Sequence, residues 1–397
     1  MRFFTFRLSI VLCTLFFMLI LSFLAPFCAI FSLPSKISIA KNQLNGYLNT
    51  QNNSLITSKF NTQNSTLDYY LLNTIKLKSI SANILPTKKV FLGGQTVGFE
   101  YNTKGVLVIG KNKVYSNNQF IDNLQNNELM QGDIITSVNG TEVNSAKEIS
   151  GLINQEQSDD KYVTIKAMRK GKEYQTKIKP AYDLLTKKYK LGLWVKNDVS
   201  GLGTLTYIDP TNNTYGALGH SVIEPNTNSL IPVLNGKLYD CAVLGIKRAV
   251  RGSAGEIRGI LKTNVILGDV QKNASTGVFG QINIDNKLLK DNYTEIEVGG
   301  KYTIIPGKAL MYCCIDGKNV RAYDIEIVKL NNKNETYKDM VIKVTDPRLI
   351  KATGGIVQGM SGSPIVQNGK LVGAVTHVFV NDATKGFGVF IDNMLKN

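Results

Sequence analysis

The stretch GIVQGMSGSPIVQNGKLVGAVTHVF, Gly355 to Phe379, decides how the chain is read. Small residues crowd Gly359-Met-Ser-Gly-Ser-Pro364, and two apolar runs follow, joined by Asn368-Gly369. Asn-Gly between alternating apolar runs is a strong hairpin signal, so two strands are expected after the turn. A serine in so tight a turn is either one more polar turn residue or a nucleophile. A hydroxyl becomes a useful nucleophile only when a base takes its proton.

The search for that base is short, because the 397-residue chain has two histidines, His220 and His377. His220 ends Tyr215-Gly-Ala-Leu-Gly-His220, where small residues lead into it and allow it to project from a strand end. It is the expected base. His377 follows Ser361 by 16 residues on the second strand of the hairpin and is expected to contact substrate or make a structural hydrogen bond.

Composition sets the class. The chain is 43% hydrophobic and carries 35 glycines, many of them between alternating apolar runs. That pattern leans to β structure, and the length suits two or three domains. A net charge of +16, spread over scattered lysines, reads as a solvated basic surface rather than a nucleic-acid footprint. No nucleic-acid partner is expected. Five cysteines, two of them adjacent, make neither a disulfide framework nor a zinc pattern, so no metal and no cofactor are expected.

Residues 1–35 carry Arg2 and Arg7 ahead of an uncharged apolar run from Leu8 to Leu33. The run exceeds the roughly 20 residues that span a bilayer and is longer than a secretory core of about 7–15. An uncleaved transmembrane anchor is expected, with the remainder of the chain outside the cytoplasm. Residues 36–89, rich in Asn, Ser, Thr and Gln, read as a polar stalk or linker with one or two strands.

Residues 90–182 are more ordered. Gly132-Asp-Ile-Ile-Thr-Ser-Val-Asn-Gly140 followed by Val143 and a helical pattern from Ala146 to Ile153 resembles a PDZ domain. Gly93-Gly-Gln-Thr-Val-Gly-Phe99 occupies the place of that family's carboxylate-binding loop. The resemblance therefore implies peptide binding at Gly94, Val97, Gly98 and Phe99, by strand addition to a sheet edge. From residue 183 to 397, short strands alternate with Gly, Asn and Asp turns, as in Tyr323-Asp-Ile-Glu-Ile-Val328. About 200 such residues suit a pair of antiparallel barrels.

Gly359-Met-Ser-Gly-Ser-Pro364 is similar to the GxSGxP signature of chymotrypsin-like serine peptidases. Together with Val344-Thr-Asp-Pro-Arg-Leu349, Tyr215–Ser221, the apolar N-terminus and the PDZ-like segment, it resembles the stage IV sporulation protein B family of spore-forming bacteria. The fold implied is mainly β: a transmembrane helix, an α+β PDZ domain and a double β-barrel chymotrypsin-like peptidase domain. Ser361 is then the nucleophile and His220 the base, with Gly359 and Ser361 N–H as the oxyanion hole. Backbone of Thr376, His377 and Val378 lines the substrate cleft.

For the triad acid, Asp240, Asp269, Asp316, Asp324 and Asp346 all lie in the peptidase region. The family resemblance favours Asp346, 15 residues before Ser361, although an Asp-Pro step is also a turn initiator and Arg348 stands ready to pair with it. Met360 replaces the aspartate by which chymotrypsin answers a new N-terminus, so that zymogen switch should be absent. The resemblance implies an exported, membrane-anchored or released endopeptidase in the space between mother cell and forespore. Its substrates would be itself and a membrane-tethered regulator, and the cleavage would activate a late sigma factor precursor. The competing reading is a catalytically silent PDZ scaffold in the same compartment.

Overall fold

The computed structural model describes residues 30, 33–124, 127–155, 161–225, 227–283, 294–331 and 337–397. The apolar run expected to anchor the chain lies outside them apart from Ile30 and Leu33; no helix of the described residues is long and apolar enough to cross a membrane. The chain divides into two units, 1–88 with 297–304, and 89–296 with 305–397.

The first unit differs from the stalk that its composition suggests. It holds a four-stranded sheet in the order Lys36–Ala40, Ile75–Leu85, Thr66–Leu71, Ile56–Asn61, with the helix Leu44–Gln51. Leu67, Tyr69 and Ile80 are fully buried, and the hydroxyls of Tyr47 and Tyr69 meet at 3.1 Å. The polar composition hides this core because one buried position is Asp68, neutralised by Lys76 at 2.9 Å and bonded to the hydroxyls of Ser79 and Thr66.

In the second unit, Asn139 and Gly140 both take positive φ and turn the strand Ile134–Val138 back into Thr141–Glu142, as the sequence predicts. The helix Ala146–Gln155 buries Ile149 and Ile153 against Val106, Val138 and Ile165. Asp133 explains the Gly-Asp step. It is fully buried and accepts from Arg169 at 2.6 and 2.7 Å, from the Tyr174 hydroxyl at 2.6 Å and from Met130 N at 2.7 Å. Burial alone would raise its carboxyl pKa; these donors lower it instead.

Two long strands, Thr96–Lys111 and Leu193–Asp209, pair antiparallel from Leu193↔Lys111 to Thr204↔Thr96. At one end their residues pack in the core beneath the helix; at the other, Val97, Phe99 and Tyr101 pack with Leu205, Leu238 and Val278. Val233–Lys247 pairs with the far edge of Thr96–Thr103 and continues to Glu256–Asp269, which returns through Gly268↔Ile282 toward Gly277–Gln281 and Thr214–Ala217. Thr214–Ala217 pairs with Leu193–Asp209, and that pairing completes one ring of strands.

A second ring runs Gly307–Cys313, Arg321–Leu330, Met340–Val344, Asp382–Phe390, Lys370–Phe379, Pro364–Gln367 and back to Gly307–Cys313. Closure removes free sheet edges around the ring except where Lys370–Phe379 runs on past its pairing with Pro364–Gln367.

This arrangement corrects the expected carboxylate-binding loop. Val97, Gly98 and Phe99 lie in a strand paired on both edges, with Gly203 to Gly201 on one side and Asp240 to Leu238 on the other. Val97 and Phe99 are buried, a Cβ at Gly98 would come 2.4 Å from Leu261, and Gly94 packs against Val320. Their main-chain groups already have sheet partners, so no peptide can add there. The Gly-Gly opening misleads because glycines serve equally for close strand packing.

Candidate active site

The nucleophile turn is shaped by glycine at two positions. Gly359 and Gly362 take φ of +96° and +95°, which L-residues with a Cβ rarely adopt. A Cβ on Gly362 would lie 2.1 Å from Thr204 O and 2.5 Å from Leu218 N. The turn is held from the strand Leu193–Asp209: Thr204 Oγ1 donates to Gly359 O at 2.8 Å, Thr204 N to Ser361 O at 2.8 Å, and Thr206 Oγ1 to Gly362 O at 2.7 Å. Gly362 N donates to Val375 O at 2.8 Å, Met360 N to Val357 O at 3.1 Å, and Ser363 N to Met360 O at 2.9 Å.

Two N–H groups are left over. Those of Gly359 and Ser361 have no acceptor among the described residues, although Gly359 is buried. Buried N–H groups are nearly always paired, so an open one at a surface turn calls for a functional reason. Ser361 itself is half-buried, and its Oγ donates to Thr376 O at 2.7 Å.

His220 follows two left-handed residues, Leu218 at φ +67° and Gly219 at +70°, which turn the chain off the strand Thr214–Ala217. Strain of this kind in Leu218 costs about 1–3 kcal/mol and is found where a side chain must be aimed. A Cβ on Gly219 would come 2.9 Å from Val375 O and 3.2 Å from Thr376 Cγ2, so the histidine segment lies against the same strand that receives the Ser361 hydroxyl.

The imidazole Nδ1 lies 2.8 Å from Ser221 O. A carbonyl accepts only, so Nδ1 carries the proton and Nε2 keeps its lone pair, the tautomer a base needs. The ring stacks on His377 with centroids 4.6 Å apart and planes tilted by 35°. Burial holds the His220 pKa below its ordinary value, partly offset by the Ser221 bond. His377, although open to solvent on one side, is also held low, first by loss of water on its packed side and then by the charges of His220 and Lys338.

Among the described residues Asp346 makes no hydrogen bond to His220. It is buried and N-caps the helix Pro347–Thr353, accepting from Arg348 N at 2.8 Å. Its oxygens also take the Arg348 guanidinium at 2.6 and 3.1 Å and Asp324 N at 3.2 Å. That pairing with Arg348 holds its carboxyl at about 2. The helix cap, the Arg348 ion pair and the Asp324 N–H take the hydrogen bonds its oxygens accept among the described residues.

The other candidates fare no better. Asp240 pairs with Lys262, Asp269 with Lys237 and Asp316 with Arg321, and Asp324 is exposed. Among the described residues the group that orients His220 is a carbonyl, that of Ser221. Sequence reasoning missed it, as it missed Thr204 and Thr206, because a main-chain acceptor and two strand threonines carry no motif.

Thr376 and His377 fall in an irregularity between Val375↔Gly388 and Val378↔Gly386. Past Ala374 the strand has Asp382–Phe390 on one edge, while Pro364–Gln367 no longer follows it on the other. The expected cleft-lining backbone therefore stands beside Ser361.

A second concavity, a groove of about 570 Å³, is lined by Ala146, Ile149 and Ile153 of the helix, Phe120, and the segment Leu191–Val195. Leu193–Val195 pair on one edge only among the described residues. Gly192 has φ +70°, and the N–H groups of Leu191 and Gly192 have no acceptor among the described residues, although both residues are buried.

No curated protein matches the chain. A PDZ domain of the SdrC-like protein from Listeria monocytogenes is 25% identical over 23% of this chain and 87% of that one, with a TM-score of 0.19. The Rv3671c protease in its inactive form is 13% identical over 49% of this chain and 81% of that one, with a TM-score of 0.27. A serine-to-alanine form of Rv3671c from M. tuberculosis H37Rv is likewise 13% identical, over 49% and 80%, at 0.26. The PDZ domain family matches residues 93–179, and SpoIVB peptidase S55 matches 187–395. That second match spans more than half of the chain and includes both His220 and Ser361, and on it the chain belongs to the SpoIVB peptidase S55 family of serine proteases, with a PDZ domain ahead of the peptidase.

Proposed function

We propose that the chain is a serine endopeptidase in which Ser361 attacks the scissile carbonyl and His220 takes its proton at Nε2. The observation that carries this reading is the nucleophile turn: two N–H groups with no acceptor among the described residues, of Gly359 and Ser361, flank a serine beside the histidine segment. They would receive the oxyanion as the tetrahedral intermediate forms, and losing one such donor typically costs about 100- to 1,000-fold. His220 then returns the proton to the departing amine, leaving an acyl-serine. Water, deprotonated by the same Nε2, releases the acid and restores Ser361. Ser221 O steadies the imidazolium through Nδ1–H, where a carboxylate would stand in a full triad.

In the resting geometry the Ser361 hydroxyl points to Thr376 O, so rotation about its Cα–Cβ bond precedes attack. On this reading the two strand rings would make a chymotrypsin-like double barrel, with Thr96–Thr103 contributed by the segment that also enters the PDZ domain. Backbone of Thr376 to Val378 would pair with an extended substrate. The groove between the helix Ala146–Gln155 and Leu191–Val195 would capture a peptide by strand addition, in place of Gly94–Phe99. The substrates would be the chain itself and a membrane-tethered regulator between mother cell and forespore, with the apolar N-terminus holding the enzyme at the bilayer. A fluorophosphonate probe tests the chemistry: labelling confined to Ser361 supports it, and a folded, unreactive chain supports the silent scaffold instead.

The base must be neutral to work. Because burial lowers the His220 pKa, it stays neutral as pH falls through the ordinary value of 6.5 and is lost only below that. The acid limb of the labelling rate against pH is therefore expected below 6.5; a limb above 6.5 would contradict the assignment of the half-buried imidazole as base. For the groove, Phe120→Ala, at an exposed lining residue, should weaken capture of extended peptides by about 10-fold while fluorophosphonate labelling persists. Peptide-array binding measured beside labelling checks it.

A further inference from the structure

An oxyanion donor is useful only if its peptide plane is held. In a trans peptide the C=O of one residue and the N–H of the next point in opposite directions, so fixing the carbonyl fixes the donor. The plane that carries Ser361 N–H is fixed locally, since Met360 O accepts from Ser363 N at 2.9 Å. The plane that carries Gly359 N–H has no such local tie. Its carbonyl, Gln358 O, accepts from Ile257 N at 2.8 Å, and Gln358 N donates to Gly255 O at 2.9 Å. Gly255 and Ile257 are at the tip of an arm made by the paired strands Val233–Lys247 and Glu256–Asp269. The contact is a short parallel bridge, Glu256↔Gln358, between segments remote in sequence.

Gly359 offers little resistance to rotation on its own, because glycine populates both signs of φ. Packing does not lock it either: a Cβ there would come 3.0 Å from the Ile257 Cβ, and glycine has none. The tip, by contrast, is anchored. Ala249 N donates to Thr353 O at 2.8 Å, Gly252 N to Val380 O at 3.0 Å, and Ile257 is 5% exposed. We propose that the arm tip is the positioning element of the oxyanion hole, with the Ile257 N–H holding the Gln358–Gly359 peptide so that Gly359 N–H faces the reacting carbonyl. Ile257 touches no reacting atom; it acts through Gln358. The inference rests on Ser361 being the nucleophile, as proposed above.

The register makes the test clean. Ile257 N–H is bonded to Gln358, so it is not a rung of the ladder to Ile246 opposite. Proline at 257 therefore removes one hydrogen bond, and Glu256 before it is already extended, as a following proline requires. Fluorophosphonate labelling of the full-length chain would be measured as a maximal inactivation rate and a half-saturating probe concentration. Wild type, Ile257→Ala and Ile257→Pro would be compared, with Ser361→Ala as the blank.

Ile257→Ala reports the loss of the side chain alone. Ile257→Pro is expected to fall about 30- to 300-fold further in maximal rate, with half-saturation within about 3-fold. Gly255→Ala is the second variant, because its Cβ would lie 2.4 Å from Lys247 O and 2.5 Å from Ala249 N and must displace the tip. It should lower the maximal rate in the same way, and it decides the matter alone if the proline variant does not fold. Folded variants that label at the Ile257→Ala rate, or that change only half-saturation, overturn the inference. A folded wild type that does not label overturns the peptidase reading, and the inference with it; a reactive wild type with equally reactive variants overturns the arm's role only.

Discussion

Replacing Ser361 or His220 with alanine is expected to lower hydrolysis by about 10,000- to 1,000,000-fold, each alone costing nearly as much as both together. The equality follows from the division of labour. Without His220 the hydroxyl keeps its proton, and without Ser361 there is no group for the base to activate. What survives is the residual effect of binding and of the Gly359 and Ser361 N–H groups. Neither substitution should unfold the protein. Ser361 loses one hydrogen bond to Thr376 O, and His220 loses its bond to Ser221 O and its stack on His377. Thermal melts beside the rate assay check this, and a double variant far slower than either single one would show that the two act separately.

Gly362→Ala is expected to cost about 4 kcal/mol of stability and to abolish activity in whatever remains folded. Two effects add. The residue sits at φ +95°, where a Cβ strains the backbone by about 1–3 kcal/mol. The methyl would also lie 2.1 Å from Thr204 O and 2.5 Å from Leu218 N, both main-chain atoms that cannot swing aside, and overpacking of this kind costs about 1–3 kcal/mol more. Thr204 holds the turn and Leu218 aims His220, so relief of the clash must move one catalytic segment or the other. Denaturant unfolding measures the first effect and probe labelling the second. Gly369→Ala is the contrast: φ is +72° there, but no atom lies within 4 Å of the added Cβ, so only the strain remains.

The residues proposed here for the chemistry stood out in the sequence because they are rare or sit in tight turns. Two histidines in the chain left one base to choose, and the glycines around Ser361 announced a turn that a Cβ would break. The Asn368-Gly369 hairpin and the Asn139-Gly140 turn were equally plain, since both positions of each take positive φ.

What could not be read was pairing at a distance. Thr96–Lys111 looks from its sequence like the opening of one domain, yet its first half completes the core of the next. Only the tertiary register shows that Val97 to Phe99 have neighbours on both edges. Asp346 misled for a local reason: an aspartate before proline caps a helix and pairs with Arg348 just as readily as it serves a histidine. The stalk-like 36–89 segment concealed a core because its buried positions include Asp68 and Ser58, which score as polar.

The central claim is that Ser361 and His220 work as a pair oriented by the Ser221 carbonyl, with Asp346 serving the helix cap instead. Fluorophosphonate labelling of full-length Asp346→Asn, corrected for folded protein and set beside wild type and His220→Ala, tests it most directly. The structure predicts Asp346→Asn labelled on Ser361 within about 5-fold of wild type, less stable by about 1–2 kcal/mol from the weakened cap and ion pair, and His220→Ala unlabelled. Folded Asp346→Asn that is as unreactive as His220→Ala would contradict the claim and return the carboxylate to the catalytic machinery.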